Sequence, residues 1–138
     1  MSYTNANEGV AMTFAKRVYF IAGIYGLLIL LPQYFMEQRV GQDSPPPITH
    51  PEFFYGFIGT AVAFQVVFLI LARDPIRYRP MMIATILEKA GFGIPSVVLF
   101  LQQRLHLMTL CFGSIDLLLG LFFIAAYVRT APQALSSS

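Results

Sequence analysis

Four runs of this chain are apolar over nearly their whole length, and each is long enough to cross a bilayer, which takes roughly 20 residues. They cover residues 18–35, 53–72, 81–101 and 107–127. Apolar character on every helical face predicts helices set in lipid; a helix on a soluble core would be apolar along one stripe. The first run is the least regular, because Pro32 interrupts it near its end. Lys16 and Arg17 precede it as they would a signal peptide. The following "LPQYFMEQ" has no small-x-small cleavage pattern, so a retained helix is expected.

The polar positions complete the outline. Residues 37–51 contain "GQDSPPPITHP", and three consecutive prolines favour an extended polyproline segment over helix. A stiff external strap or lid is expected there. The other loops are short, and the tail 133–138 is expected to be disordered. Lys16, Arg17, Arg73, Arg77, Arg79 and Arg129 share one side of four crossings, leaving Arg39 and Arg104 on the other. Excess Lys and Arg marks the cytoplasmic side. The expected architecture is therefore a single all-α domain, an integral membrane four-helix antiparallel bundle with both termini cytoplasmic, in a bacterial cytoplasmic membrane. Tyr19, Tyr34, Tyr55, Tyr78 and Tyr127 are expected at the membrane interfaces.

Composition agrees: the 138 residues are 57% hydrophobic and 12% charged, against about a quarter charged in soluble domains. The net charge of +2 and the lack of a basic patch with interleaved aromatics point away from nucleic acid. No nucleotide loop, catalytic triad or paired-cysteine site occurs, and neither a metal nor a cofactor is expected. Cys111 lies in an apolar run and reads as buried packing. "THPE", Thr49 to Glu52, has the form of a capping box opening the second span. His50 and Glu52 could instead ligate a metal or act as an acid–base pair at the outer mouth. In "RDPIR", Asp74 and Pro75 are placed as N-cap and first helical residue. His106 falls at the outer boundary.

Glu88, Lys89 and Asp116 stand near the middle of apolar runs. A charge there costs about 2.5–3.5 kcal/mol on insertion scales, so these residues should face inward and find partners. If the third and fourth spans turn near Gln103, residues whose numbers sum to about 206 share a level. Lys89 and Asp116 then meet. Glu88 lies level with Phe64 and beside Gln65. Thr85, Lys89, Gly93 and Ser96 form one stripe of the third span; Thr109, Gly113, Asp116 and Gly120 form one of the fourth. Stripes of small residues allow close helix approach. The second span offers Gly56, Gly59, Thr60 and Ala63 as its small face, and the first offers Ala22, Gly23, Gly26 and Tyr25. In "GFGIP", Gly91, Gly93 and Pro95 weaken the helix beside the charges, as a kink or a break next to a site.

Two readings of the charges stand. In one, Lys89–Asp116 fixes the register of two helices, and Glu88 is protonated or bonded to Gln65. In the other, two acids against one base leave a working carboxyl, which takes up a proton, binds a cation or amine, or holds the polar head of a lipid-like ligand. Ligand-binding candidates are Glu88, Lys89 and Asp116, supported by Gln65 and Tyr25.

Four short-looped spans with acids at mid-depth resemble in layout the DoxX-like proteins and the EXPERA domain of sterol isomerases and sigma-2-type receptors. The EXPERA resemblance implies that Glu88 and Asp116 contact a cationic or sterol-like ligand; Lys89 departs from that pattern. "HPEFFYGF" and "ARDPIRYRPMM" resemble segments of small bacterial membrane proteins. The leading expectation is a membrane protein that binds or moves a small apolar or cationic ligand. The alternatives are an accessory subunit that docks on a membrane complex or another copy of itself, and an isomerase-like or lipid-modifying enzyme with Glu88 as acid or base.

Overall fold

The computed structural model describes residues 2–131, with side chains from residue 7 onward. The tail 133–138, expected to be disordered, lies outside the described residues. The order is α1 (Ser2–Leu30), a 3-10 turn (Leu31–Phe35), α2 (Glu37–Asp43), α3 (Pro51–Arg73), α4 (Met81–Leu101) and α5 (Leu107–Arg129). Among the described residues there is no strand. Four of the helices are long and apolar enough to cross a membrane.

The first span departs most from expectation. Its helix begins at Ser2, well before residue 18. It gives way to the 3-10 turn around Pro32, whose ring nitrogen cannot donate to the preceding turn. Gln33 Nε2 donates instead to the Ile29 carbonyl at 3.2 Å. Tyr19 on this helix is fully buried, and its hydroxyl lies 2.9 Å from Thr85 Oγ1.

The expected strap is partly helical. α2 occupies its first half, and the proline segment then folds back so that Gly41 packs on Pro47 and Ile48. Gly41 is buried there, and a Cβ would come within 3.3 Å of the Ile48 nitrogen. The segment is tied to α3 by Tyr55, whose hydroxyl donates to Glu37 Oε2 at 2.8 Å. The capping box does not form. α3 starts one residue later than that reading needs, at Pro51, and His50 Nδ1 sits 3.3 Å from Glu52 Oε1. Proline suits the first helical position, where its fixed φ fits the helix and its missing N–H would have no intrahelical partner. The helix therefore starts there, with Thr49 one residue too far back to cap it. Asp74 and Pro75 do not open a helix either: residues 75–80 are turns, and α4 starts at Met81 after Pro80. Asp74 Oδ1 accepts from the Arg77 N–H at 3.1 Å and closes the first of those turns.

α4 runs unbroken through Pro95. Its end is closed by paired backbone bonds, Gln103 N–H to the Phe100 carbonyl and Arg104 N–H to the Leu99 carbonyl, each 2.9 Å. Gln103 takes the left-handed conformation (φ 58°) that this closure requires.

The core joins Ala15, Tyr19 and Ala22 of α1, Phe68 and Leu71 of α3, Met82 of α4, and Phe123 and Ala126 of α5. Tyr19 stacks on Phe123 with centroids 4.3 Å apart, and Phe68 stands edge-on to Phe123 at 5.0 Å. Outside, large apolar side chains such as Phe20, Leu28, Val66, Leu87 and Leu121 are exposed. Cys111 is exposed among them, not buried as its apolar surroundings in sequence implied. Apolar neighbours in sequence mark a buried residue only where the exterior is polar; here the exterior is apolar as well.

Candidate functional site

α4 and α5 meet along the two small-residue stripes read in the sequence. A Cβ added at Gly113 would fall 2.5 Å from the Ser96 Cβ, and one at Gly93 would fall 2.6 Å from Leu117 and 3.0 Å from the Gly113 carbonyl. Gly120 lies opposite the root of Lys89, where a Cβ would sit 3.4 Å from the Lys89 Cβ. Glycine at these positions lets the helices approach closely enough for a lysine and an aspartate to meet between them.

The meeting takes place. Lys89 Nζ lies 3.0 Å from Asp116 Oδ1. It also lies 3.3 Å from Glu88 Oε2 and 3.5 Å from Glu88 Oε1. The Lys89 side chain is only 6% exposed, against 15% for Glu88 and 16% for Asp116. The ammonium is therefore the innermost member, with both carboxylates toward the margin. Phe68 completes its surroundings, with the ring centroid 5.2 Å from Nζ. A desolvated ammonium gains from the negative face of such a ring.

The two carboxylates are not equivalent. Asp116 accepts a well-formed charge-assisted hydrogen bond. Glu88 precedes Lys89 in the chain, so it reaches the ammonium sideways along its own helix. Its Oε1 contact is at the limit of hydrogen bonding, and its Oε2 is buried with no hydrogen-bond partner despite lying 3.3 Å from Nζ. The distance alone would suggest a bond, but the contact lacks the angular geometry of one and remains an ion pair. Buried carboxylate oxygens are seldom left this way, since an unmet acceptor costs about 1–3 kcal/mol or more.

Gln65 and Tyr25 do not join the ion cluster by hydrogen bonds. Gln65 is buried, but it turns toward α1: its side chain fills the space beside Gly26, and its Nε2 donates to the Ala61 carbonyl at 2.9 Å. The expected Glu88–Gln65 bond is absent: Glu88 faces Lys89, and Gln65 faces α1. Gln65 Oε1 is likewise buried without a partner. Tyr25 is partly buried on α1, and the Asp116 carboxylate bonds to Lys89, not to it.

The expected small face of α3 is also displaced. Gly56, Thr60 and Ala63 point outward, and the buried face is Ile58, Ala61, Gln65, Phe68 and Leu71. Small side chains marked the wrong side because α3 packs on α1 through the glycines of α1. Gly23 holds Leu69 and the Gln65 carbonyl, where a Cβ would be 2.8 Å and 3.2 Å away, and Gly26 holds the Gln65 side chain.

Phe68 and the Tyr19–Thr85 pair were not among the expected site residues. Thr85 heads the stripe that carries Lys89, and extending the Asp116–Gly120 stripe by three reaches Phe123, the partner of Tyr19 and Phe68. The pattern therefore held a signal for the aromatic layer. No family model matches the chain, and no curated protein or solved structure does either. The likeness of layout to DoxX-like and EXPERA proteins thus assigns no role to any residue here.

Proposed function

We propose that the chain is an integral protein of a bacterial cytoplasmic membrane, its four long helices forming an antiparallel bundle with both termini inside, and that it binds or moves a small cationic or apolar ligand at Glu88. The apolar exterior around a partly polar interior supports the bilayer setting. The pairing of Gly120 with Lys89 and of Gly113 with Ser96 supports the antiparallel sense of α4 and α5. The orientation rests on the surplus of basic residues at one end.

The observation that carries the site reading is the unpartnered Glu88 Oε2 next to an ammonium already engaged by Asp116. One cation serves two acids, and Glu88 Oε2, held 3.3 Å from Nζ, still lacks a hydrogen bond. The missing donor would be a proton, an amine or the polar head of an apolar molecule. Lys89 holds the Glu88 carboxyl in place, and Tyr25 is a partly exposed aromatic of α1. The test is thermal unfolding of the purified protein with a series of hydrophobic amines of increasing chain length. Stabilisation of the wild type that disappears in Glu88→Gln, with helix content unchanged, is the expected result. A wild type indifferent to every amine, or a Glu88→Gln protein that responds equally, overturns the assignment.

A second reading has its own observation. Gly56, Thr60 and Ala63 lie on the exposed face of α3 at helical spacing, and nothing lies within 4 Å of a Cβ built at Gly56. Such a face suits another membrane helix, as an accessory subunit or a homo-oligomer would need. Glu88→Gln would leave that role intact.

A further inference from the structure

A groove of about 420 Å³ runs between α1 and α3 at the basic end of the molecule. Its mouth carries Lys16, Arg17 and Arg73, and its wall is made by Phe20, Ile24 and Leu69. From Lys16 to Ile24 the helix rises about 12 Å, so the groove passes within that distance from three cations to a purely apolar wall. Arg77 stacks over Tyr78, and Arg129 over Phe14. Arg79 donates to the Tyr127 carbonyl from Nε and Nη2, at 3.2 Å and 3.0 Å. Three of the six basic residues at this end are therefore engaged within the protein. The other three are those that line the groove, and among the described residues no acidic side chain forms an ion pair with them.

We infer that this groove is a binding site for an anionic phospholipid. The phosphate would sit among Lys16, Arg17 and Arg73, and one acyl chain would lie along Phe20, Ile24 and Leu69. Guanidinium groups bind phosphate oxygens in pairs, and a basic pocket between membrane helices suits an acidic headgroup. The apolar wall distinguishes this site from a diffuse positive surface: a surface attracts any anion, whereas the groove needs charge and chain on one molecule. The site lies apart from Glu88 and does not depend on the role proposed for it.

The full chain, purified in neutral detergent, would be offered phosphatidylglycerol, phosphatidylcholine or glycerol 3-phosphate. Bound lipid would be counted by native mass spectrometry and stability followed by the loss of helical circular dichroism on heating. Phosphatidylglycerol should be retained and raise the melting temperature; phosphatidylcholine and glycerol 3-phosphate should do neither. The double change Arg17→Gln, Arg73→Gln should weaken phosphatidylglycerol binding about thirtyfold. Arg77→Gln, at the same end but outside the groove, should leave it unchanged. Equal retention of phosphatidylcholine overturns the inference, as does undiminished binding by the double variant. A shift with glycerol 3-phosphate equal to that with the lipid reduces the groove to a phosphate site and overturns the lipid assignment. Should the double variant lose its helix content, the wild-type competition between equimolar phosphatidylglycerol and phosphatidylcholine decides alone.

Discussion

Lys89 makes one hydrogen bond of ordinary length to Asp116 and one marginal contact to its own neighbour Glu88. Removing the ammonium leaves two acids facing each other away from water, whereas removing the whole pair leaves an apolar contact. Lys89→Met alone is expected to destabilise the protein by about 3–5 kcal/mol, and the joint Lys89→Met, Asp116→Leu change to recover most of that loss. Denaturant unfolding in micelles would check both values. Equal losses in the single and joint variants would mean that the ion pair does not act as a unit. This pair was legible in the sequence because three facts converged: charges are costly in apolar runs, the turn falls near Gln103, and both residues lie on small-residue stripes. The neighbouring roles were less legible. Gln65 could be placed at the level of Glu88, but which way its amide turned depended on the gap beside Gly26, and that gap exists only once α1 packs on α3.

Among the elements, α4 and α5 fit through glycine on both sides, while Gly91 of α4 faces open space. Gly113→Ala should cost about 1–3 kcal/mol by forcing the new methyl against Ser96. Gly91→Ala, with nothing within 4 Å of the new carbon, should be neutral or slightly stabilising through its better helix propensity. Thermal melts of the two variants side by side would separate packing from propensity; equal effects would show that the stripes do not set the distance between the helices. Hydrophobicity located all four long helices, but their edges depended on chemistry that apolar runs do not carry. α1 extends back to Ser2 through a polar stretch, and α2 forms within what read as a proline strap. A run of three prolines excludes helix only where it stands, and Glu37–Asp43 precedes it.

For the molecule as a whole, the asymmetry is one of charge: Lys16, Arg17, Arg73, Arg77, Arg79 and Arg129 gather at one end. With both ends proposed inside, green fluorescent protein fused after Ser138 should fluoresce in bacteria. A periplasmic alkaline phosphatase fused at the same point should stay inactive. The reverse pattern would invert the whole arrangement and move the lipid groove to the other leaflet. Whether a helix is long and apolar enough to cross a membrane is a property of composition and could be read directly. Which face of it turns outward could not, because nearly every face is apolar and only the rare polar residue marks the inside. α3 was misjudged for that reason, and α4, with Thr85, Lys89 and Ser96, was not.

Arg79, between α3 and α4, clasps the final turn of α5: its guanidinium caps the Tyr127 carbonyl and lies 3.8 Å above the Tyr127 ring. The two residues are 48 positions apart. A nascent chain that has delivered its first three helices therefore holds an arginine whose counterpart is still to be synthesised. The clasp can close only once the last helix has been made, so its contacts belong to the finished fold and to no partial one.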